Sequence, residues 1–305
     1  MPVRRVAWLL LLLAVPQAGQ AAADTVTACT APTTSRSEVL VQETTLAGVP
    51  ALLRVPPRIT RPPIVLWHGF GPPASERALM AQLPLDDVPA IKVYLGLPLF
   101  GARSPADKGE LARRQAADLA MQVFEPVVLG AARELPAVAD ALRDNGCLRA
   151  GERIGLFGFS AGGAAALDAL ARHDVPVAAA VVLNASTGLG TSVAAYERAT
   201  GKQYAWSSKS RALARSADAV ARAGDIAAGT PALLIIQGAG DTMLTPEPAR
   251  QLRAALAPHY ANRAPLALEL VDGMPHNVVA EDDLARVRRS VAEWFDTYLG
   301  ERTGT

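Results

Sequence analysis

Apolar positions along this chain gather into short blocks, cut apart by Pro, Gly and polar turns. Residues 64–67, 90–95, 153–159, 177–183, 232–236 and 266–271 are nearly unbroken apolar runs, which predict strands covered on both faces. Between them, residues 108–124, 135–143, 161–172, 246–256 and 282–299 repeat apolar side chains at helical spacing. Pro126 and Pro136 are expected to interrupt the first pair of helices. Ahead of these, residues 38–45 and 49–55, joined at Ala47-Gly48, predict two paired strands. Strands and helices alternating in this way predict an α/β fold. Its central sheet is mostly parallel, with helices on both faces and right-handed crossovers.

One segment breaks the rhythm. Residues 187–229 separate two strands by more than a crossover needs. They carry Tyr196, Tyr204 and Trp206, and six cations (Arg198, Lys202, Lys209, Arg211, Arg215, Arg222) against Glu197, Asp218 and Asp225. This stretch reads as a helical, cap-like insertion over one end of the sheet, expected to act as a lid on a site there.

The N-terminus is organised differently. Arg4 and Arg5 precede the apolar run from Val6 to Val15, which ends at Pro16 and is followed by small residues up to Ala21-Ala22-Ala23. That is the three-part layout of a secretory signal peptide over residues 1–23. Ten apolar residues at about 1.5 Å each cover only about half of a ~30 Å hydrocarbon core. The mature chain is therefore expected to be exported, periplasmic or secreted, with no stable membrane association after cleavage. In such a compartment Cys29 and Cys147 are expected to pair. The long loop closed would add at most about 4–5 kcal/mol of stability.

Composition narrows the function. With 30 Lys+Arg against 29 Asp+Glu, the chain has no basic footprint for nucleic acid. Hydrophobic residues at 50% exclude a mostly disordered chain. The four histidines are dispersed and give no metal-ligand cluster, and no Gly-Lys-Ser/Thr marks a phosphate loop. No metal or other cofactor is expected. Nothing in the pattern speaks to oligomeric state.

Chemistry concentrates at Gly158-Phe159-Ser160-Ala161-Gly162, a G-x-S-x-G pattern between an apolar strand and an Ala-rich helix. The pattern alone is weak, but this strand–turn–helix context is the one it demands. Ser160 would sit in a strained turn with its hydroxyl projecting, while side chains at Gly158 and Gly162 would crowd the turn. A serine nucleophile needs a base, and the base needs an orienting carboxylate. His276, in Asp272-Gly-Met-Pro-His276-Asn277 before the closing helix, lies where a base can reach the carboxyl ends of the strands. His173 and His259 read as surface residues. Asp241 ends a strand and Gly-containing turn at the same edge, with Asp272 as the competing acid. Two backbone N–H groups would form the oxyanion hole: that of Ala161, directly after the nucleophile, and that of Phe70. Gly69 and Gly71 let the His68-Gly69-Phe70-Gly71 loop approach a substrate, and His68 reads as a brace for it.

With His68-Gly69-Phe70, Gly158-x-Ser160-x-Gly162, Asp241 and His276 in this order, the chain resembles the α/β-hydrolase superfamily over nearly all of residues 24–305. Within it the chain looks most like small exported bacterial hydrolases of dienelactone-hydrolase-like or prolyl-oligopeptidase-like kind. The resemblance implies a sheet of about eight strands, a Ser-Asp-His triad and no cofactor. It also implies attack on an ester, thioester or amide. No propeller domain is expected ahead of the hydrolase body, which leaves residues 187–229 as its cover. A small-molecule carboxylic ester is the expected substrate. The alternatives are a serine peptidase or amidase of prolyl-oligopeptidase type, or a catalytically silent binding protein on the same fold.

Overall fold

The computed structural model describes Cys29, residues 38–262 and residues 265–302. The leader expected at residues 1–23 lies outside them. The sheet has eight strands: β1 (Leu40–Leu46), β2 (Val49–Val55), β3 (Ile64–Trp67), β4 (Lys92–Leu95), β5 (Ile154–Phe159), β6 (Val177–Leu183), β7 (Ala232–Gly238) and β8 (Leu266–Val271). Their order is β1-β2-β4-β3-β5-β6-β7-β8. β1, β2 and β4 pair antiparallel, and every other pair is parallel. This is an open α/β-hydrolase sheet, and its parallel part aligns the carboxyl ends of β3 to β8 along one edge.

The two faces divide the core by alternation. Val65, Trp67, Val93, Leu95, Leu156, Val182 and Ile235 join one buried cluster. Ile64, Leu66, Tyr94, Phe157, Phe159, Val181 and Ile236 join the other. A period of two sends neighbouring side chains to opposite faces. Both faces are covered over β3 to β7, so those strands read as nearly unbroken apolar runs.

On the first face lie α2 (Glu110–Leu119), α3 (Ala120–Leu129), α4 (Gly130–Asp144), α5 (Ala161–Arg172) and α9 (Pro246–Leu256). α1 (Glu76–Gln82) and α10 (Glu281–Tyr298) cover the second. α1 escaped the sequence reading because seven residues, about two turns of helix, carry little periodicity. Its start is set by Ser75, whose Oγ accepts from Ala78 N at 3.1 Å.

The prolines do not divide the α2–α4 stretch as expected. α3 runs through Pro126 in wider, i→i+5 turns and α4 runs through Pro136, so the chain stays helical from 120 to 144. The break falls at Asp118, whose backbone is extended and whose Oδ1 accepts from Ala120 N and Met121 N, both at 3.1 Å. A wide turn leaves room for a residue without an N–H. Burial of Val123, Phe124, Val127, Leu135, Val138 and Leu142 then outweighs the lost hydrogen bonds.

Cys29 and Cys147 form a disulfide with Cα atoms 5.0 Å apart across 118 residues. Cys29 packs against the first core cluster. Among the described residues, no helix is long and apolar enough to cross a membrane.

A lysine is buried in the sheet. Lys92, at the start of β4, is fully buried, and its Nζ donates to Val88 O at 3.1 Å. Burial lowers its pKa to about 8, against the opposing pull of Asp86 and Asp87. A depressed folded-state pKa means that the unfolded chain binds the proton more tightly. Stability should therefore rise between about pH 8 and the ordinary lysine value near 10.5, and be lost again as pH falls. Lys92→Met is expected to raise the thermal midpoint at pH 7, with at most about 3 kcal/mol released. The gap to wild type should close as the melts are repeated up to pH 10. A variant less stable than wild type at pH 7 would overturn this account.

Candidate active site

Between β5 and α5 stands one residue, Ser160, with φ 54° and ψ −114°. A non-glycine residue pays strain there. Its backbone is fixed on both sides: its N–H donates to Leu183 O at 3.0 Å, and its C=O accepts from Ser186 N at 3.2 Å. A Cβ on Gly158 would lie 2.2 Å from Gly162 O, and one on Gly162 would lie 2.4 Å from His68 O. Only glycine lets the turn close this tightly. The hydroxyl is thus held at the N-terminus of a twelve-residue helix, beside its positive dipole end.

Two other loops meet it. His276 follows β8 and Asp241 follows β7, and both are buried. His276 Nε2 lies 3.0 Å from Ser160 Oγ, and His276 Nδ1 lies 2.7 Å from Asp241 Oδ2. The carboxylate can only accept, so the imidazole proton sits on Nδ1 and leaves Nε2 free to accept from the hydroxyl. Asp241 Oδ1 accepts from the backbone N–H groups of Met243 and Leu244, each at 2.8 Å. Gln237 Nε2 approaches Asp241 Oδ2 at 3.3 Å and donates to Leu244 O at 2.9 Å. Both oxygens of the buried carboxylate are hydrogen-bonded, as burial demands. Asp272 is exposed, as are His173 and His259.

The loop after β3 completes the edge. A Cβ on Gly69 would lie 2.9 Å from Ser160 Cβ, so this loop presses directly on the nucleophile turn. Ala161 is the first residue of α5, and its N–H has no partner within the helix. Phe70 N makes no turn or loop hydrogen bond among the described residues. The Phe70 ring stacks on Phe100, with centroids 4.9 Å apart and planes 6° apart, which fixes the loop that carries the amide.

His68 is fully buried beneath this loop. Its Nε2 accepts from Leu97 N at 3.2 Å, so its proton is on Nδ1, which donates to Gly69 O at 2.7 Å. Neutral His68 thus ties the Phe70 loop to the turn after β4. Burial lowers its pKa, against smaller opposing contributions from Gly69 O and Glu76.

The inserted segment holds α6 (Leu189–Thr200), α7 (Ser208–Ser216) and α8 (Ala223–Ala228). It is tied down on two sides. Arg198 Nη2 donates to Met243 O and Tyr204 OH to Asp118 Oδ1, both at 2.5 Å.

Sequence reasoning passed over Asn184 and Gln237. The available signal was a lone polar residue at the carboxyl end of an apolar strand, in Val-Val-Leu-Asn184 and Ile-Ile-Gln237-Gly. Both are buried at 1% exposure or less, where a polar side chain needs partners.

Against known proteins, the family model "Prolyl oligopeptidase family" matches residues 131–302. A search of curated proteins returns no match. Among solved structures, TT1662 from Thermus thermophilus aligns with a TM-score of 0.68 at 21% identity, covering 87% of this chain and 100% of that one. A puromycin-hydrolyzing peptidase from Mycobacterium tuberculosis aligns at 0.65 and 19% identity, over 87% of this chain and 40% of its own. The Pyrococcus furiosus esterase Pf2001 aligns at 0.58 and 16% identity, over 86% and 91%. At these identities the likeness establishes the fold, which by itself fixes no substrate.

His68 also has a consequence for acid stability. With a depressed folded-state pKa, its contribution is complete above the ordinary value near 6.5 and is lost as pH falls below it. His68→Ala is expected to cost about 1–3 kcal/mol at pH 7, because Gly69 O and Leu97 N lose their buried partner. The deficit should shrink when denaturant midpoints are compared at pH 5. A deficit that grows on acidification would contradict the neutral brace.

Proposed function

Since the chain belongs to the prolyl oligopeptidase family and is a serine hydrolase of the α/β fold, we propose that it cleaves carboxylic esters through an acyl-enzyme on Ser160. The observation that carries this reading is the continuous hydrogen-bonded path from Asp241 through His276 to Ser160 Oγ. His276 Nε2 removes the Ser160 proton as Oγ attacks the carbonyl carbon. Asp241 holds the imidazole in the required tautomer and faces the imidazolium that forms. The N–H groups of Phe70 and Ala161 receive the developing oxyanion. His276 then protonates the departing alkoxide, and a water activated by His276 releases the acid.

Esters come first because an alkoxide leaves more readily than an amine. Met243 and Val279 are exposed large apolar side chains two and three residues beyond Asp241 and His276. They suit an apolar acyl or alcohol group at the rim. Family membership favours a second reading, a peptidase or amidase working through the same residues. The leader pattern, together with the Cys29–Cys147 bridge, supports an exported, oxidising setting for either activity.

Ser160→Ala is expected to fold normally and to lose p-nitrophenyl ester hydrolysis by several powers of ten. Asp241→Asn should lose about 10⁴-fold in kcat through the wrong tautomer. A panel of esters of increasing chain length, run beside aminoacyl p-nitroanilides, separates the two readings. Higher kcat/KM on the esters supports esterase, and preference for the anilides supports peptidase. Unchanged ester hydrolysis in Ser160→Ala would remove both.

A further inference from the structure

Asn184, the first residue after β6, is fully buried and has φ 43°, a left-handed backbone that Asn tolerates better than most residues. Its side chain joins the His276 loop to the end of β7. Nδ2 donates to His276 O at 2.8 Å and to Pro275 O at 3.1 Å. Oδ1 accepts from Gly238 N at 2.8 Å, at the end of the strand that leads into Asp241. Asn184 N donates to Ile236 O at 2.9 Å, which fixes the residue against the same strand. Its neighbours Leu183 and Ser186 hold the backbone of Ser160 from both sides. A single four-residue segment therefore bonds the nucleophile turn, the base loop and the strand before the acid. Both Nδ2 protons and one lone pair of Oδ1 are used, which is most of what an amide can offer.

Resting on the reading of Ser160, His276 and Asp241 as a triad, we propose that Asn184 is a positioning residue. It sets the reach of His276 to both partners by joining the backbone of the base loop to the strand that presents the acid. Met274 and Val278 of the His276 loop pack in the same apolar cluster as Ile236 of β7, but among the described residues no other side chain hydrogen-bonds both that loop and β7. Apart from the His276–Asp241 bond itself, the other hydrogen bonds across this gap are between backbone groups, from Gly240 N to Met274 O at 3.1 Å and from Ala239 N to Val271 O at 2.8 Å. They hold the start of the loop and not His276 itself. Reactions of this kind are sensitive to small misplacement: about 1 Å costs on the order of a hundredfold in rate.

Two variants keep the backbone while changing the side chain. Asn184→Gly tolerates φ 43° and removes all three side-chain bonds. Asn184→Asp keeps shape and the acceptor for Gly238 N, but presents a carboxylate oxygen to the carbonyls of Pro275 and His276. Both are expected to lower kcat by about 10- to 100-fold on a p-nitrophenyl ester, with KM nearly unchanged. In the resting protein, the downfield proton resonance of the His276–Asp241 hydrogen bond should shift or vanish in both. The assignment is made by loss of that resonance in His276→Gln. If either folded variant keeps the wild-type kcat and an unmoved resonance, or loses kcat only in step with its folded fraction, Asn184 is structural and the proposal fails. If the wild type shows the resonance but cleaves no ester or anilide, the reading of the site as a hydrolase fails while the positioning role is still decided by the resonance.

Discussion

Backbone approaching backbone without room for a Cβ is the constraint on which the rest of this structure depends. The strand–turn–helix at Ser160 closes only because Gly158 faces Gly162 and Gly162 faces His68 at distances that exclude a side chain. The same rule operates across the edge: a Cβ on Gly238 would lie 2.2 Å from Met274 O, where the strand before Asp241 passes the loop that carries His276. The parallel sheet makes such contacts possible. It brings the ends of β3, β5, β6, β7 and β8 to one edge, so residues 35 and 116 positions apart become hydrogen-bonding neighbours.

The second layer of the account is polar and buried. His68, Asn184, Gln237, Asp241 and His276 are each at 6% exposure or less. Each is committed to a named partner, because an unpaired buried polar group costs about 1–3 kcal/mol. They divide the labour by position. His68 ties the Phe70 loop to the turn after β4, Gln237 faces the acid, and Asn184 joins the base loop to β7. The strain at Ser160 is carried by its hydrogen bonds to Leu183 and Ser186. The aliphatic core on either face of the sheet supplies the stability that makes such a network affordable.

Much of this was legible in the sequence, for identifiable reasons. Strands covered on both faces leave unbroken apolar runs, so β3 and β6 could be bounded from pattern alone. Gly158-x-Ser160-x-Gly162 announces its turn through the strand before it and the helix after it. What the pattern hid was tertiary. Pro126 and Pro136 look like breaks locally, yet burial of one apolar face keeps the chain helical through both. α1 is too short for a periodic signal. Asn184 and Gln237 each look like an ordinary polar strand end, because their partners lie on other strands and loops. The tautomer of His68 depends on Leu97 N, a contact 29 residues away that no local pattern specifies.

The central claim is that Ser160 is activated by His276 and Asp241, and active-site labelling tests it most directly. Intact protein is treated with a fluorophosphonate, and the modified peptide is identified by mass. The account predicts one label per chain, on Ser160, with a labelling rate that collapses in His276→Gln while the fold is retained. A protein that hydrolyses esters but carries the label on another residue, or labels Ser160 equally fast without His276, would contradict it.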